Sequence, residues 1–200
     1  MARPPQFDRT EVLEKATQLF WERGYRGVSI SDLVKATGLL PGSIYAGFGN
    51  KEGLFVACLQ HYGARASDML NAFESAGSPL GVVRTFFVEM SHAAADEDDR
   101  RGCFLVNASL ECDASETAIK TQVRHCMDRT ETWLQTHLEA AKANGELRQE
   151  TDVAQLAGCL VGAIFGIRVM SRAQETSAKI ESIASATFES LMAPWEQVAA

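Results

Sequence analysis

The segment from Ser29 to Lys51 is the part of the sequence that most restricts the fold. It predicts two short helices joined by a tight turn. Ser29 is a good N-cap for the first helix, and Asp32 three residues later can complete the reciprocal cap. Gly38 supplies the left-handed residue that ends this helix, and Pro41 fits the first turn of the next. Two helices joined by a short glycine-containing turn form a helix-turn-helix, whose second helix enters a DNA major groove.

The residues around this segment share the spacing of a known family. The matching positions lie on three predicted helices and are Phe20, Gly24, Tyr25, Ser29, Ile30, Asp32, Leu33, Gly38, Gly42, Ser43, Ile44, Tyr45, Phe48, Lys51, Glu52 and Leu54. Together they resemble the DNA-binding region of the TetR (tetracycline-repressor) family of bacterial transcription regulators. The resemblance implies a homodimeric repressor that binds double-stranded operator DNA and releases it when a small-molecule effector binds.

The resemblance also implies which residues contact DNA, namely Ser29, Thr37, Gly42, Ser43, Tyr45 and Lys51. Of these, Ser43, Tyr45 and Lys51 match positions that touch phosphates in the family. Lys51 also stands beside a predicted helix N-terminus, where its charge and the free N–H groups favour a phosphate. No Arg, Asn or Gln occurs from Leu39 to Gly49, so the usual bidentate base readers are missing. We expect readout through Ser43, methyl contacts, DNA shape and an N-terminal arm that carries Arg3.

The distribution of charge supports a DNA-binding N-terminal region. The whole chain has a formal net charge of −7. Residues 1–65 contain eight Lys and Arg against six Asp and Glu, whereas residues 66–200 contain eleven against twenty. Only the N-terminal part can therefore approach a phosphate backbone without strong repulsion.

The sequence also predicts the compartment. It has no uninterrupted apolar stretch of roughly 18 residues, and its N-terminus lacks the apolar run of a secretion signal. Its five cysteines are widely spaced and form no C-x-x-C pair, which favours reduced thiols. We expect a cytoplasmic protein without a membrane segment.

Helical periodicity runs through the rest of the chain, and no stretch alternates with a period of two. The predicted fold class is all-α, with a three-helix DNA-binding domain at residues 1–55. A helical regulatory and dimerisation domain is expected at residues 56–200.

A stripe of small residues predicts the dimer interface. Gly158, Gly162 and Gly166 repeat every four positions, which lets another helix approach closely. The resemblance implies a four-helix bundle built from the last two long helices. The expected interface residues are Gly158, Gly162, Gly166, Ile180, Ile183 and Phe188. Packing of the stripe within one chain is the alternative.

The effector site is predicted among the middle helices, where the resemblance implies an apolar pocket. Candidate lining residues are Phe86, Phe87, Met90, Cys103, Phe104, Asn107, Met127, Trp133 and Phe165. The segment around Cys103 resembles one in a subgroup of the family that includes sensors of electrophiles, aldehydes or oxidants. A helix N-terminus and the neighbouring Arg100 and Arg101 would stabilise a thiolate there, although a cysteine in an apolar helix is more often a buried hydrophobe.

An enzyme is the less favoured class of protein. Glu89 and His92 have the spacing of one di-iron ligand pair, but no second Glu-x-x-His pair occurs. His125 and Cys126 are neighbours, so they point about 100° apart on a helix. We therefore predict no catalytic residues, no metal and no cofactor. The alternatives are a transcription activator with the same DNA-binding domain, or a helical ligand-binding protein or enzyme.

Overall fold

The computed structural model describes residues 7–73, 77–113 and 115–196. Within these ranges the chain is helical, and Leu147 and Glu196 form an isolated antiparallel bridge rather than a strand. The helices are α1 (Arg9–Arg23), α2 (Ile30–Thr37), α3 (Pro41–Phe48), α4 (Lys51–Ala72), α5 (Pro79–Ala95), α6 (Phe104–Glu111), α7 (Thr117–Ala143), α8 (Val153–Arg172) and α9 (Ser177–Met192). The all-α prediction is confirmed.

The capping residues of the first three helices explain where these helices begin and end. Ser29 and Asp32 form the reciprocal cap of α2, and Gly38 ends this helix in the left-handed conformation with φ 75°. Pro41 occupies the first turn of α3. The Asn50 side chain accepts a hydrogen bond of 2.7 Å from the Gly53 N–H and so caps α4. The predictions for the Ser29–Asp32 cap, Gly38 and Pro41 are confirmed.

The chain divides into two compact units. The first unit contains the residues through Ala66 together with Phe104–Cys126, and the second contains Ser67–Cys103 and the residues from Met127 onward. The boundaries between the units fall within α4, directly before α6 and within α7.

The core of the first unit brings α1 to α4 together with α6 and the start of α7. Phe20 of α1 packs edge-on against Phe55 of α4, with ring centroids 4.8 Å apart. Phe104 of α6 packs against the same Phe55 ring at 5.4 Å. Ile119 and Val123 of α7 are also buried. The segment 104–126 therefore belongs to the same compact unit as the helix-turn-helix, although α5 separates the two in sequence.

The core of the second unit consists of α5, α8, α9 and the later part of α7. Phe87 of α5 and Phe188 of α9 pack with ring centroids 4.9 Å apart. Apolar residues of α8, among them Leu156, Leu160 and Ile164, are buried in the same cluster. The backbone N–H of Arg148 donates to the carbonyl of Trp195, which ties the segment after α9 to the segment between α7 and α8.

By length and composition, α8 is apolar enough to cross a membrane, with a mean hydropathy of 1.8 over its most apolar window. One side of this helix, however, lies in the core of the second unit. Packing in a folded helical domain therefore accounts for the apolar character of this side of α8. Only the exposed side of the helix is left to contact another chain.

Candidate nucleic-acid interface

The recognition helix α3 is held by a single deeply buried side chain. Ile44 is fully buried, and so is Leu33 of α2. On the opposite side of α3, Gly42, Tyr45 and Ala46 are exposed, as is Pro41 at its start. This arrangement presents one side of a short helix to the outside while the other side anchors it to the first unit.

The predicted DNA-contact residues differ in their surroundings. Ser29, Gly42 and Tyr45 are exposed, and Ser43 is half-buried. Thr37 is buried: its hydroxyl donates to the Leu33 carbonyl at 2.6 Å and accepts from the Leu39 N–H at 3.3 Å. We therefore assign Thr37 to the turn between α2 and α3 rather than to the DNA-facing surface.

Lys51 cross-links the loop between α1 and α2 to the start of α4. Its ammonium group donates to the carbonyls of Tyr25 and Val28, both at 2.9 Å, and lies 4.4 Å from the centroid of the Tyr25 ring. Burial lowers the pKa of Lys51 below its ordinary value. Two of its three N–H donors are therefore occupied by backbone carbonyls.

The end of α6 also binds the loop between α1 and α2. The carboxylate of Glu111 accepts a hydrogen bond of 2.6 Å from the backbone N–H of Tyr25. The Arg26 guanidinium pairs with Asp113, two residues after the end of α6, and its Nη2 atom is 3.9 Å from a carboxylate oxygen of Glu116. These contacts could not be predicted from the sequence, because the partners are 86 and 87 residues apart.

Arg9 brings a positive charge to the C-terminal end of α3. Its guanidinium lies 4.5 Å from the centroid of the Phe48 ring, and its Nη1 donates to the Gly47 carbonyl at 3.4 Å. A Cβ on Gly47 would lie 3.4 Å from the Phe7 ring, so this glycine faces the start of the chain. The predicted arm with Arg3 lies outside the described residues.

The predicted interface residues divide into an exposed set and a buried set. Gly158, Gly162 and Gly166 are exposed, and a Cβ on Gly162 or Gly166 would meet no heavy atom within 4 Å. Ile183 is also exposed. By contrast, Ile180 and Phe188 are buried in the core of their own unit, so we leave them out of the proposed interface.

The predicted effector residues belong to both units. Phe104 and Asn107 belong to the first unit, and Phe86, Phe87, Met90, Cys103, Met127, Trp133 and Phe165 belong to the second. Phe86 and Trp133 pack edge-on with centroids 5.1 Å apart, and the tilted ring of His137 lies against Trp133 with centroids 4.2 Å apart. In the described part of the chain, the buried Nε1 of Trp133 finds no hydrogen-bond acceptor.

Cys103 is buried and directly precedes α6. The Nε and Nη2 atoms of Arg101 donate to the two carboxylate oxygens of Asp99. Arg100 donates to the Glu175 carbonyl and to the Ser177 hydroxyl. Both arginines predicted to support a thiolate are therefore bound, at least in part, to other groups.

The described residues contain no cluster of three or more His, Cys, Asp or Glu suited to a metal ion.

Comparison with known proteins agrees with this geometry. Residues 12–58 match the family model described as bacterial regulatory proteins, tetR family. Residues 79–187 match a Tetracyclin repressor-like C-terminal domain.

Two relatives that cover more than nine-tenths of this chain are described as repressors. The HTH-type transcriptional repressor ComR of Escherichia coli (strain K12) is 35% identical over 189 residues, which cover 92% of this chain and 89% of ComR. The repressor DhaR of Mycobacterium sp. (strain GP1) is 25% identical over 199 residues, which cover 99% of this chain and 98% of DhaR.

Among solved structures, a cysteine mutant of the TetR family regulator CifR, bound to 26 base pairs of double-strand operator DNA, has a TM-score of 0.83. It is 28% identical, and the match covers 94% of this chain and 98% of that chain. The role of such relatives is regulatory rather than enzymatic. The exposed α3, the two matching models and the similarity to ComR lead to one conclusion: this chain belongs to the TetR family of bacterial transcription regulators.

Proposed function

We propose that this protein is a homodimeric transcriptional repressor that binds operator DNA through α3 and releases it when a small molecule binds. The observation that carries the proposal is the complete helix-turn-helix, in which α3 is anchored by Ile44 and exposed on its other side. Residues 1–55 form the DNA-binding domain and residues 56–200 the regulatory and dimerisation domain. The protein acts in the cytoplasm, where the bacterial chromosome lies, and has no enzymatic step.

A homodimer follows from the DNA-binding task, since an operator with two half-sites requires a two-fold symmetric protein. The exposed stripe of Gly158, Gly162 and Gly166 on α8 supports this assembly, with Ile183 of α9 beside it in the proposed interface. Because no side chain of the same unit fills the space above Gly162 and Gly166, a partner helix can approach the backbone of α8 closely.

The proposed effector is an apolar, preferably aromatic molecule that carries one hydrogen-bond acceptor. Support comes from Trp133, whose buried Nε1–H has no acceptor in the described part of the chain, and from the aromatic ring of Phe86 beside it. A buried donor without an acceptor costs about 1–3 kcal/mol, and a ligand oxygen would remove that cost. To release DNA, the effector must bind the DNA-free state more tightly than the DNA-bound state.

The proposal that the protein binds DNA can be tested without knowledge of the operator. Wild-type protein is mixed with a random-sequence duplex library, and the bound duplexes are recovered and sequenced. We expect a two-fold symmetric consensus. Ala46→Asp should abolish recovery, because it places a carboxylate on the exposed side of α3. Ala118→Asp makes the same substitution on the exposed surface of α7, and it should leave the recovery of duplexes unchanged. Recovery of random sequence by the wild type would contradict the proposal.

The effector class can be tested with two probes of nearly equal shape. Acetophenone offers a carbonyl acceptor, whereas α-methylstyrene replaces that oxygen with carbon. We expect acetophenone to release the duplex at a lower concentration, and Trp133→Phe to remove the difference by deleting the indole N–H. Trp195→Phe serves as the matched control, since this residue is half-buried in the same unit. An equal effect of both probes on the wild type would contradict the assigned role of Trp133.

The same duplex separates a repressor from an activator. A reporter gene placed behind the recovered sequence should be expressed less when the protein is present and more when the effector is added. Higher expression in the presence of the protein alone would identify an activator that uses the same DNA-binding domain.

A further inference from the structure

The exposed surface at the start of α3 is almost entirely apolar. Leu40, directly before the helix, is 72% exposed, and Tyr45 is 49% exposed. Pro41, Gly42 and Ala46 complete this surface. Its only polar side-chain groups are the hydroxyls of Tyr45 and of the half-buried Ser43. A large exposed leucine next to other apolar positions commonly marks a contact surface.

This composition restricts how bases can be recognised. Guanine is usually read by Arg or Lys and adenine by Asn or Gln, and the segment from Leu39 to Gly49 contains none of these residues. The major groove also displays one apolar group, the C5-methyl group of thymine, which pairs with apolar side chains. The surface of α3 therefore matches thymine better than any other base.

Leu40 stands at the end of α3 that reads bases in a helix-turn-helix. It has an extended backbone, with φ −70° and ψ 153°, and its carbonyl accepts hydrogen bonds from the N–H groups of Ser43 and Ile44. Residues at the N-terminal end of a recognition helix are the ones that contact base edges. Gly42 has no side chain and Ala46 has only a methyl group, so the backbone of α3 can come close to the base pairs.

We propose that Leu40 is a specificity-determining residue, and that its side chain packs against the C5-methyl group of a thymine in each operator half-site. The inference rests on the proposed DNA-binding function and goes beyond it by naming the chemical group that is read. Loss of one buried methyl group should weaken binding about fourfold for each substituted half-site.

The test removes the methyl group from the DNA and the side chain from the protein. The probe is the consensus duplex recovered by the full-length wild-type protein, with thymines replaced by deoxyuridine at one symmetric pair of positions at a time. Uracil keeps the base pairing of thymine and lacks only the methyl group. We expect one pair of positions at which the wild type binds the uracil duplex more weakly, and we expect Leu40→Ala to bind both duplexes equally.

Leu110→Ala is the matched control, since Leu110 lies on α6 and is 76% exposed. It should keep the full preference for thymine. Leu40→Val is a second variant, with a shorter apolar side chain, for the case in which Leu40→Ala binds too weakly to measure. We expect Leu40→Val to show a smaller preference for thymine over uracil than the wild type. Circular dichroism checks that each variant is folded.

Two results would overturn the inference. One is a wild-type protein that binds every uracil duplex as tightly as the thymine duplex. The other is a preference for thymine that survives undiminished in Leu40→Ala and Leu40→Val, because another residue would then read the methyl group. Failure to recover any consensus duplex would instead overturn the DNA-binding function proposed above.

Discussion

The carboxylate of Glu111 accepts a hydrogen bond from the backbone N–H of Tyr25 at a distance of 2.6 Å. The same carboxylate fills the space beside Gly24, where a Cβ would lie 2.0 Å from its Oε1 atom. Gly24 has φ 74° and ψ 165°, a conformation that is essentially restricted to glycine. The C-cap of α1, the loop after it and the end of α6 are thus fitted to one another within the first unit.

Gly24→Ala should therefore destabilise the protein by at least about 2 kcal/mol, through backbone strain and the clash with Glu111. Glu111→Ala alone should cost about 1–2 kcal/mol because the Tyr25 N–H loses a charged acceptor. The double variant should lose less than the sum of both, since removal of the carboxylate also removes the clash. Urea denaturation measures all three, with Glu22→Ala on the exposed surface of α1 as a control. Additive losses would show that the two residues are not coupled.

Lys51→Met should affect both folding and DNA binding. Loss of the donors to the Tyr25 and Val28 carbonyls lowers the free energy of unfolding, and loss of a phosphate contact lowers the slope of log affinity against log salt concentration by about 0.9. Lys120→Met on α7 removes an equal charge from an exposed position and should leave the slope unchanged. A stability loss with an unchanged slope would restrict Lys51 to a structural role.

The cap of α2 should make stability depend on pH in acid. Hydrogen bonds from the Ser29 hydroxyl and backbone N–H lower the pKa of Asp32 below its ordinary value of 3.8. The ionised carboxylate therefore contributes its full stabilisation above pH 3.8, and the contribution is lost as the pH falls through the lowered pKa. The difference in unfolding free energy between wild type and Asp32→Asn should be present at neutral pH and shrink below this value. A difference that is constant with pH would contradict the assignment.

Gly162→Leu should weaken the dimer, because a leucine side chain would fill the exposed stripe of α8. Sedimentation at low protein concentration gives the dissociation constant. In the same variant, the exposed Cys159 beside the stripe should react faster with a maleimide than it does in the wild-type dimer. Ala64→Leu, on an exposed position of α4, is the control. An unchanged dimer would place the interface elsewhere.

The five thiols should differ in reactivity. Burial raises the pKa of Cys58 to about 12 and that of Cys112 to about 11, so both remain protonated and react last with a limiting dose of maleimide. Peptide mapping by mass spectrometry gives the order of modification. If the protein senses electrophiles through Cys103, this residue must react first and DNA must be released. Release that persists in Cys103→Ser would assign sensing to a site that does not involve this thiol.

Local features of the fold were predictable from the sequence, and long-range ones were not. The ends of α2 and α3 follow from Ser29, Gly38 and Pro41, which act on their immediate neighbours. Helical periodicity identified an apolar side on α9 but could not show that Ile180 and Phe188 face their own unit while Ile183 is exposed. All three side chains are apolar, so only the position of the neighbouring helices distinguishes the two buried residues from the exposed one.

The DNA-binding surface was also predictable only in part from the sequence. The family pattern identified α3, and the exposure of Tyr45 agrees with a surface position. It also included Thr37, whose hydroxyl is used within the turn, because a threonine that closes a turn and one that contacts a phosphate look alike in sequence. The role proposed for Leu40 rests on its exposed fraction of 72%, which helical periodicity cannot predict for a residue that precedes a helix.

The way α3 is anchored makes this protein a suitable starting point for the engineering of orthogonal gene switches. Ile44 is the only buried residue of α3, and a Cβ on Gly42 would meet no heavy atom within 4 Å. New side chains can therefore be installed on the outer side of the helix without disturbing the core. Replacement of Gly42 would even favour the helix by up to about 1 kcal/mol. Libraries that vary Leu40, Gly42 and Ala46 should thus yield many folded variants with different operator preferences.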